Sequence, residues 1–212
     1  MTLRLARTVL AAVLPFLALP PAVAQEPVKV GLILPMTGPF ASTGRQVEAG
    51  ARLYWNQHCQ TVAGRPVELI VRDDAAEAAS SRRLAQELVV RERVHVLAGF
   101  GLTPLAFSAA PVATQSKTPM VVMAAATSSI TEKSPYIVRS SFTLPQVAAP
   151  MGEWAAANGL KRVVTLVTDY APGLDAEAWF KKTFEAGGGA VVESLPAPLQ
   201  NPDFSAFLQR VR

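Results

Sequence analysis

Three short segments gather small and hydroxyl-bearing residues of a kind that binds rather than reacts: Gly101-Leu102-Thr103, Ala124-Ala125-Ala126-Thr127, and Thr37 with Ser42 and Thr43. Each follows an aliphatic run and precedes a stretch long enough for a helix. Backbone N–H groups and threonine hydroxyls at helix starts are donors in search of an acceptor, and the helix end adds partial positive charge. The chemistry they suit is the holding of a carboxylate. A catalytic pocket needs a nucleophile, a base and a group to orient the base, and none is assembled here. No catalytic residue is therefore assigned, and the chain is read as a non-enzyme.

Other reactive residue types lead nowhere comparable. Gly99-Phe100-Gly101 begins like a dinucleotide loop, but Leu102, Thr103 and Pro104 stand where a third glycine is required. Asp73-Asp74 follow a strand, yet without a phosphate-handling lysine they read as a helix cap and a solvated loop. Cys59 is the only cysteine, so an internal disulfide is impossible; beside His58 on a helix it points elsewhere and reads as a half-buried structural thiol. With His58 and His95 the only histidines, a His-rich metal site is excluded; no metal and no cofactor is expected. Val47, Tyr54, Trp55, Trp154 and Trp179 are read as core.

These loops need strands to carry them. Val28 to Leu34, Val67 to Val71, Val94 to Ala98 and Met120 to Ala124 are short, aliphatic and bounded by turn residues, as strands are. Between them Gly44 to Gln60, Ser80 to Arg93 and Pro104 to Ser116 read as helices. In the second of these Leu84, Ala85, Leu88 and Val89 form an apolar face opposite Arg82, Arg83, Glu87 and Arg91. The alternation predicts a parallel sheet with right-handed crossovers, whose strand ends open on one edge and bring successive loops together. Tyr136 to Ser141 is a further extended piece, and Phe142 to Pro145 reads as a passage to a second lobe.

The alternation then restarts. Leu144 to Gly159 reads as a helix with an internal Pro150, Arg162 to Thr168 as a strand, Gly173 to Ala186 as a helix ended by three glycines, and Ala190 to Leu195 as a strand. Asn201, Pro202 and Asp203 signal one more helix start, with Phe204, Phe207, Leu208 and Val211 on one face. The fold class expected is α/β, two lobes with parallel sheets flanked by helices, the second lobe incomplete. The division expected is 1–24, 25–141 and 142–212.

The first of these divisions is a signal peptide. Arg4 and Arg7 precede an apolar run broken by Pro15, Pro20 and Pro21, and Ala22-Val23-Ala24 offers the small residues a signal peptidase reads. The expected location is the periplasm. Composition agrees with a globular α/β protein, at 50% hydrophobic and 17% charged. The net charge of +4, half of it from Arg4 and Arg7, suggests neither nucleic acid nor an anionic membrane as partner.

Five segments together resemble one family. VKVGLILPMTGPFASTG (Val28 to Gly44), VELIVRDD (Val67 to Asp74), VLAGFGLT (Val96 to Thr103), PMVVMAAAT (Pro119 to Thr127) and VTLVTDYAPG (Val164 to Gly173) are similar, in order and spacing, to the periplasmic solute-binding proteins of branched-chain amino acid ABC transporters. The resemblance implies a ligand clamped between two hinged lobes, met by Gly101, Leu102 and Thr103, by Ala124, Ala125, Ala126 and Thr127, and by the aromatic Tyr170 of the second lobe. It departs at Pro172, where the family often has a second aromatic, and at Thr43, a position that is sometimes aromatic. It implies a monomer that takes a small carboxylate or amino-acid ligand and docks on an inner-membrane ABC permease. A sensory domain of the same fold, and a secreted enzyme whose catalytic part lies beyond Arg212, are the alternatives.

Overall fold

The computed structural model describes residues 25–200 and 203–211. The signal peptide expected over 1–24 and the cap pair Asn201 and Pro202 lie outside the described residues. Strands β1 (Val28–Leu34), β2 (Thr61–Val62), β3 (Arg65–Asp73), β4 (Val96–Gly99), β5 (Met120–Val122) and β6 (Ile137–Arg139) form one sheet in the order β2-β3-β1-β4-β5-β6. All neighbours are parallel except β2, which is antiparallel to β3. β1 is central, with Val28 to Leu34 in register with Val67 to Asp73 on one side, and Val30 to Ile33 with Val96 to Gly99 on the other. Its second half, Gly31 to Leu34, is buried between the two helix layers, which is why apolar residues follow one another there without alternation.

Helices α1 (Ala41–His58), α2 (Ala78–Val90) and α3 (Thr103–Ser116) make the crossovers. Ile33, Leu84, Leu88, Leu97, Phe100 and Met120 build the main core under α2 and α3. Leu88 sets how closely α2 approaches: a Cβ on Gly31 would fall 2.8 Å from its Cδ1. Burying each such Leu, Ile or Phe contributes about 1.5–3 kcal/mol. The opposite face is more thinly covered. Leu32, Leu34 and Ala98 pack there with Val47 and Ala51 of α1, beside an open apolar groove of about 520 Å³ that reaches Val121 and Met123.

The chain leaves this sheet at Arg139 and enters α4 (Leu144–Ala157), which continues through the expected Pro150. Its start is fixed by Gln146, whose Oε1 accepts from the Thr143 N–H at 2.7 Å. Strands β7 (Arg162–Thr168) and β8 (Ala190–Ala197) are parallel and form a second sheet, flanked by α4 and α5 (Ala171–Ala186). Phe184 is fully buried there, and Gly189 lies so close that a Cβ would fall 2.3 Å from its ring.

Several expectations need correction. Trp154 and Tyr54 are not core: each is 61% exposed. Trp55 is half-buried and donates from its indole N–H to the Val67 carbonyl, while Trp179 lies under the Lys182 ammonium. The last helix, α6, is only Ser205–Leu208, and Phe204, Leu208 and Val211 are exposed rather than packed as one apolar face. Cys59 is half-buried and free, in keeping with the structural reading.

Candidate functional site

The order of the first sheet places a crevice. From β1 the chain moves outward to β3, then returns to the other side of β1 as β4, so the connections after β1 and β4 diverge at their C-terminal ends. That is where open α/β sheets hold ligands. Here lie Pro35 to Phe40 after β1, Phe100 to Leu102 after β4, and Met123 to Thr127 after β5.

The β4 loop is forced into shape by β1. The Phe100 N–H donates to the Ile33 carbonyl at 2.8 Å, with Phe100 at φ 64° and its side chain fully buried. A non-glycine residue in left-handed backbone costs free energy, which the buried ring offsets. Gly101 is required by proximity: a Cβ there would stand 2.7 Å from the Pro35 ring. The chain then turns into α3 with Thr103 as its first residue.

The β5 loop lies against the β4 loop. The Met123 N–H donates to the Gly99 carbonyl at 2.8 Å and the Ala125 N–H to the Phe100 carbonyl at 3.0 Å. The side chains meet as well: Thr103 Oγ1 and Thr127 Oγ1 are 2.8 Å apart, and both residues are buried. Two hydroxyls carry two protons and only one is needed between them, so the pair keeps one donor for a third group. Among the described residues, the amides of Gly101, Leu102, Thr103, Ala126 and Thr127 have no protein acceptor. The last three carbonyls of the β5 loop, by contrast, are occupied. Arg139 donates to Ala125 O at 3.2 Å and Thr127 O at 2.5 Å, and the Leu144 N–H to Ala126 O at 3.0 Å. The loop is thus left donor-rich.

The carboxylates nearby are already engaged. Asp73 accepts from the Met36 and Ala75 N–H groups at 2.8 Å each and from the Thr37 hydroxyl at 2.7 Å. Burial pushes its carboxyl up, but these bonds outweigh it and hold the group below the ordinary carboxylate value. Asp74 is fully buried, Oδ1 accepts from the Ala76 N–H at 3.0 Å, and Oδ2 has no partner; burial raises its pKa. The expected cap role is corrected, and the solvated reading holds only for Asp73. Glu77 is the N-cap of α2, and of the two aspartates only Asp73 is exposed.

Tyr170 is the N-cap of α5, half-buried, with its phenol pushed up by burial. Asp175 on the same helix holds Ser128, the residue after Thr127. Tyr170 lies about 7.5 Å before Asp175 along the helix axis, which brings it to the same end of the second lobe. The sequence reading thus gathered the Thr103 and Thr127 loops, which the structure joins, but missed Arg139, Ser128 and Asp175. Their pairings span long separations and leave no local pattern. Among the described residues no group of three or more His, Cys, Asp and Glu side chains could hold a metal ion, and no helix is long and apolar enough to cross a membrane. A groove of about 650 Å³ between α2 and α3, lined by Arg83, Arg91 and Gln115, lies on the helix layer and away from these loops.

Known proteins share this fold. A family model described as "Periplasmic binding protein" matches residues 27–212. "Leu/Ile/Val-binding protein homolog 6" of Brucella abortus (strain 2308) is 48% identical over 186 residues, covering 87% of this chain and 48% of that protein. A solute-binding protein of an ABC transporter from Rhodopseudomonas palustris BisB5, solved with 3,4-dihydroxybenzoic acid, is 58% identical with a TM-score of 0.84, over 88% of this chain and 51% of that one. Another from R. palustris, solved with 4-hydroxybenzoate, is 48% identical with a TM-score of 0.83, over 87% and 50%. The chain spans about half the length of the relatives it matches. With the parallel sheet, the crevice at its switch point and the matched sequence in agreement, the chain belongs to the periplasmic binding protein family.

Proposed function

We propose that this chain captures a small carboxylate-bearing solute for an ABC uptake system in the periplasm, after a signal peptide over 1–24 is removed. The ligand sits between a lobe of residues 25–141 and a second of residues 142–212, against Gly101, Leu102, Thr103, Ala124, Ala125, Ala126, Thr127 and Tyr170. The observation that carries the reading is the buried Thr103–Thr127 hydroxyl pair beside five amides without a protein acceptor. A carboxylate accepts hydrogen bonds from the spare hydroxyl and the amides, and the positive end of the fourteen-residue α3 favours its charge. No bond is made or broken; ligand stabilises the closed arrangement of the lobes, which a permease then recognises.

Within carboxylates, aromatic acids fit better than α-amino acids. An ammonium group needs an anionic partner, and of the described carboxylates near the Thr103 and Thr127 loops, Asp73 and Asp175 are already used by the protein itself. Two of the solved relatives hold hydroxybenzoates, which supports the same choice. A thermal-shift and calorimetry screen of 4-hydroxybenzoate, 3,4-dihydroxybenzoate, benzoate and leucine tests it. A ligand at ~100 times its Kd stabilises by about 2.7 kcal/mol. The expected result is a shift with the aromatic acids; a shift with leucine alone would overturn the ligand choice, and no shift at all the capture reading.

A further inference from the structure

Asp175 belongs to α5 in the second lobe, yet its carboxylate is bound by the first. The Ser128 N–H donates to Oδ2 at 2.7 Å and the Ser128 hydroxyl to Oδ1 at 2.8 Å, a two-point grip on the residue that follows Thr127. Among the described residues this is the only side-chain hydrogen-bonded link between residues 25–141 and 142–200 apart from the Arg139–Phe142 contact at the passage itself.

The grip falls on a loop already fixed from behind. Arg139 donates to the carbonyls of Ala125, Thr127 and Phe142, tying the loop to the passage between lobes, and the Asp175 charge favours the charged guanidinium against its burial. The loop cannot shift without moving either the passage or α5. Thr103 closes the third side through Thr127.

We infer that Asp175 is the closure latch of this protein: a positioning residue that holds the second lobe over the Ala124–Thr127 loop by its two-point grip on Ser128, and so sets how long a ligand stays. It is the second lobe's own anchor on the ligand loop, and it acts through Ser128 without touching the ligand. Loss of the latch therefore lengthens the open state and speeds escape, while arrival at the open crevice is unchanged.

The first test needs no ligand. Nitroxides are placed at Gln115→Cys and Glu153→Cys, exposed positions on α3 and α4, in a Cys59→Ser background, and their separation is measured by pulsed electron resonance. Without ligand the parent populates mainly a short, narrow distance; Asp175→Ala shifts weight to a longer, broader one. Ser128→Ala keeps the backbone donor and gives an intermediate distribution, and the double variant is no wider than Asp175→Ala, because both act on one contact. Identical distributions in parent and Asp175→Ala overturn the latch. The second test rests on the carboxylate-capture reading and uses 4-hydroxybenzoate in stopped flow. Asp175→Asn raises koff by ~10- to 100-fold with kon within ~3-fold, as loss of a charge-assisted bond made on closing requires. An equal loss in kon overturns the latch. If the parent does not bind the probe, the capture reading fails while the distance measurement still decides on the latch.

Discussion

Thr103→Val, Thr127→Val and the double variant together test the hydroxyl pair, because their effects on stability and on binding follow different orders. Valine matches threonine in shape, so each single change removes one hydroxyl and orphans the other in a buried place, its partner having stood 2.8 Å away. An unsatisfied buried hydroxyl costs about 1–3 kcal/mol, whereas replacing both partners with apolar groups of the same shape is close to neutral. The single variants should therefore unfold earlier in urea, and the double variant should recover most of the loss. Binding of 4-hydroxybenzoate should run the other way. A hydroxyl orphaned in the free protein regains a partner from the ligand carboxylate, so each single variant loses little. The double variant has no hydroxyl to offer and forfeits a charge-assisted bond of about 1.5–3 kcal/mol, a ~10- to 150-fold rise in Kd. Urea unfolding and titration calorimetry on the four proteins complete the cycle. A double variant as unstable as the sum of the singles would refute the pairing, and one that binds like the parent would refute the pair's part in binding.

Gly101→Ala should displace the β4 loop, since its Cβ would meet the Pro35 ring at 2.7 Å; a loss of about 1–3 kcal/mol in urea unfolding, together with weaker ligand binding, is the expected outcome. Asp74 gives a pH dependence of definite sign. Its folded pKa is raised by burial, so its contribution is fully present below the ordinary carboxylate value near ~3.9 and is lost as pH rises through the folded value. Asp74→Asn should thus unfold at a higher temperature than the parent at pH 7, with the gap closing as pH falls toward ~4. Arg139→Lys should fail to replace arginine, because a lysine cannot reach the Ala125, Thr127 and Phe142 carbonyls together; hydrogen exchange at Ala125 and Leu144, whose N–H groups bond to Phe100 O and Ala126 O, should speed up by ~10-fold or more.

β1 and β7 were legible to the residue because long aliphatic runs between turn residues have few other uses. The meeting of the Thr103 and Thr127 loops was legible too, since parallel strands send their following loops to one edge. Strand β2 was not. It is two residues long and exists only because Ala63 and Gly64, both at positive φ, turn the chain back onto Arg65 and Pro66. The short 3-10 helix Ser128–Lys133 escaped for a similar reason, its serine-rich start reading as loop. Trp154 and Tyr54 are the opposite case: aromatic type alone does not report burial, and their helices turn those positions outward. The Ser128–Asp175 and Arg139 contacts depend on how two lobes meet, which periodicity within a lobe does not encode.

The sheet order also bears on the timing of folding. Every strand of the first sheet lies before Ser140, and among the described residues no later strand joins it. A chain emerging N-terminus first can therefore pair these six strands before β7 and β8 exist. Its slow step is internal: β1 must wait, unpaired and apolar, until β3 and then β4 arrive to flank it, and such non-local parallel pairing is intrinsically slow. Holdase chaperones that protect an apolar strand would act at this stage, on the first seventy-odd residues, long before there is a crevice to protect.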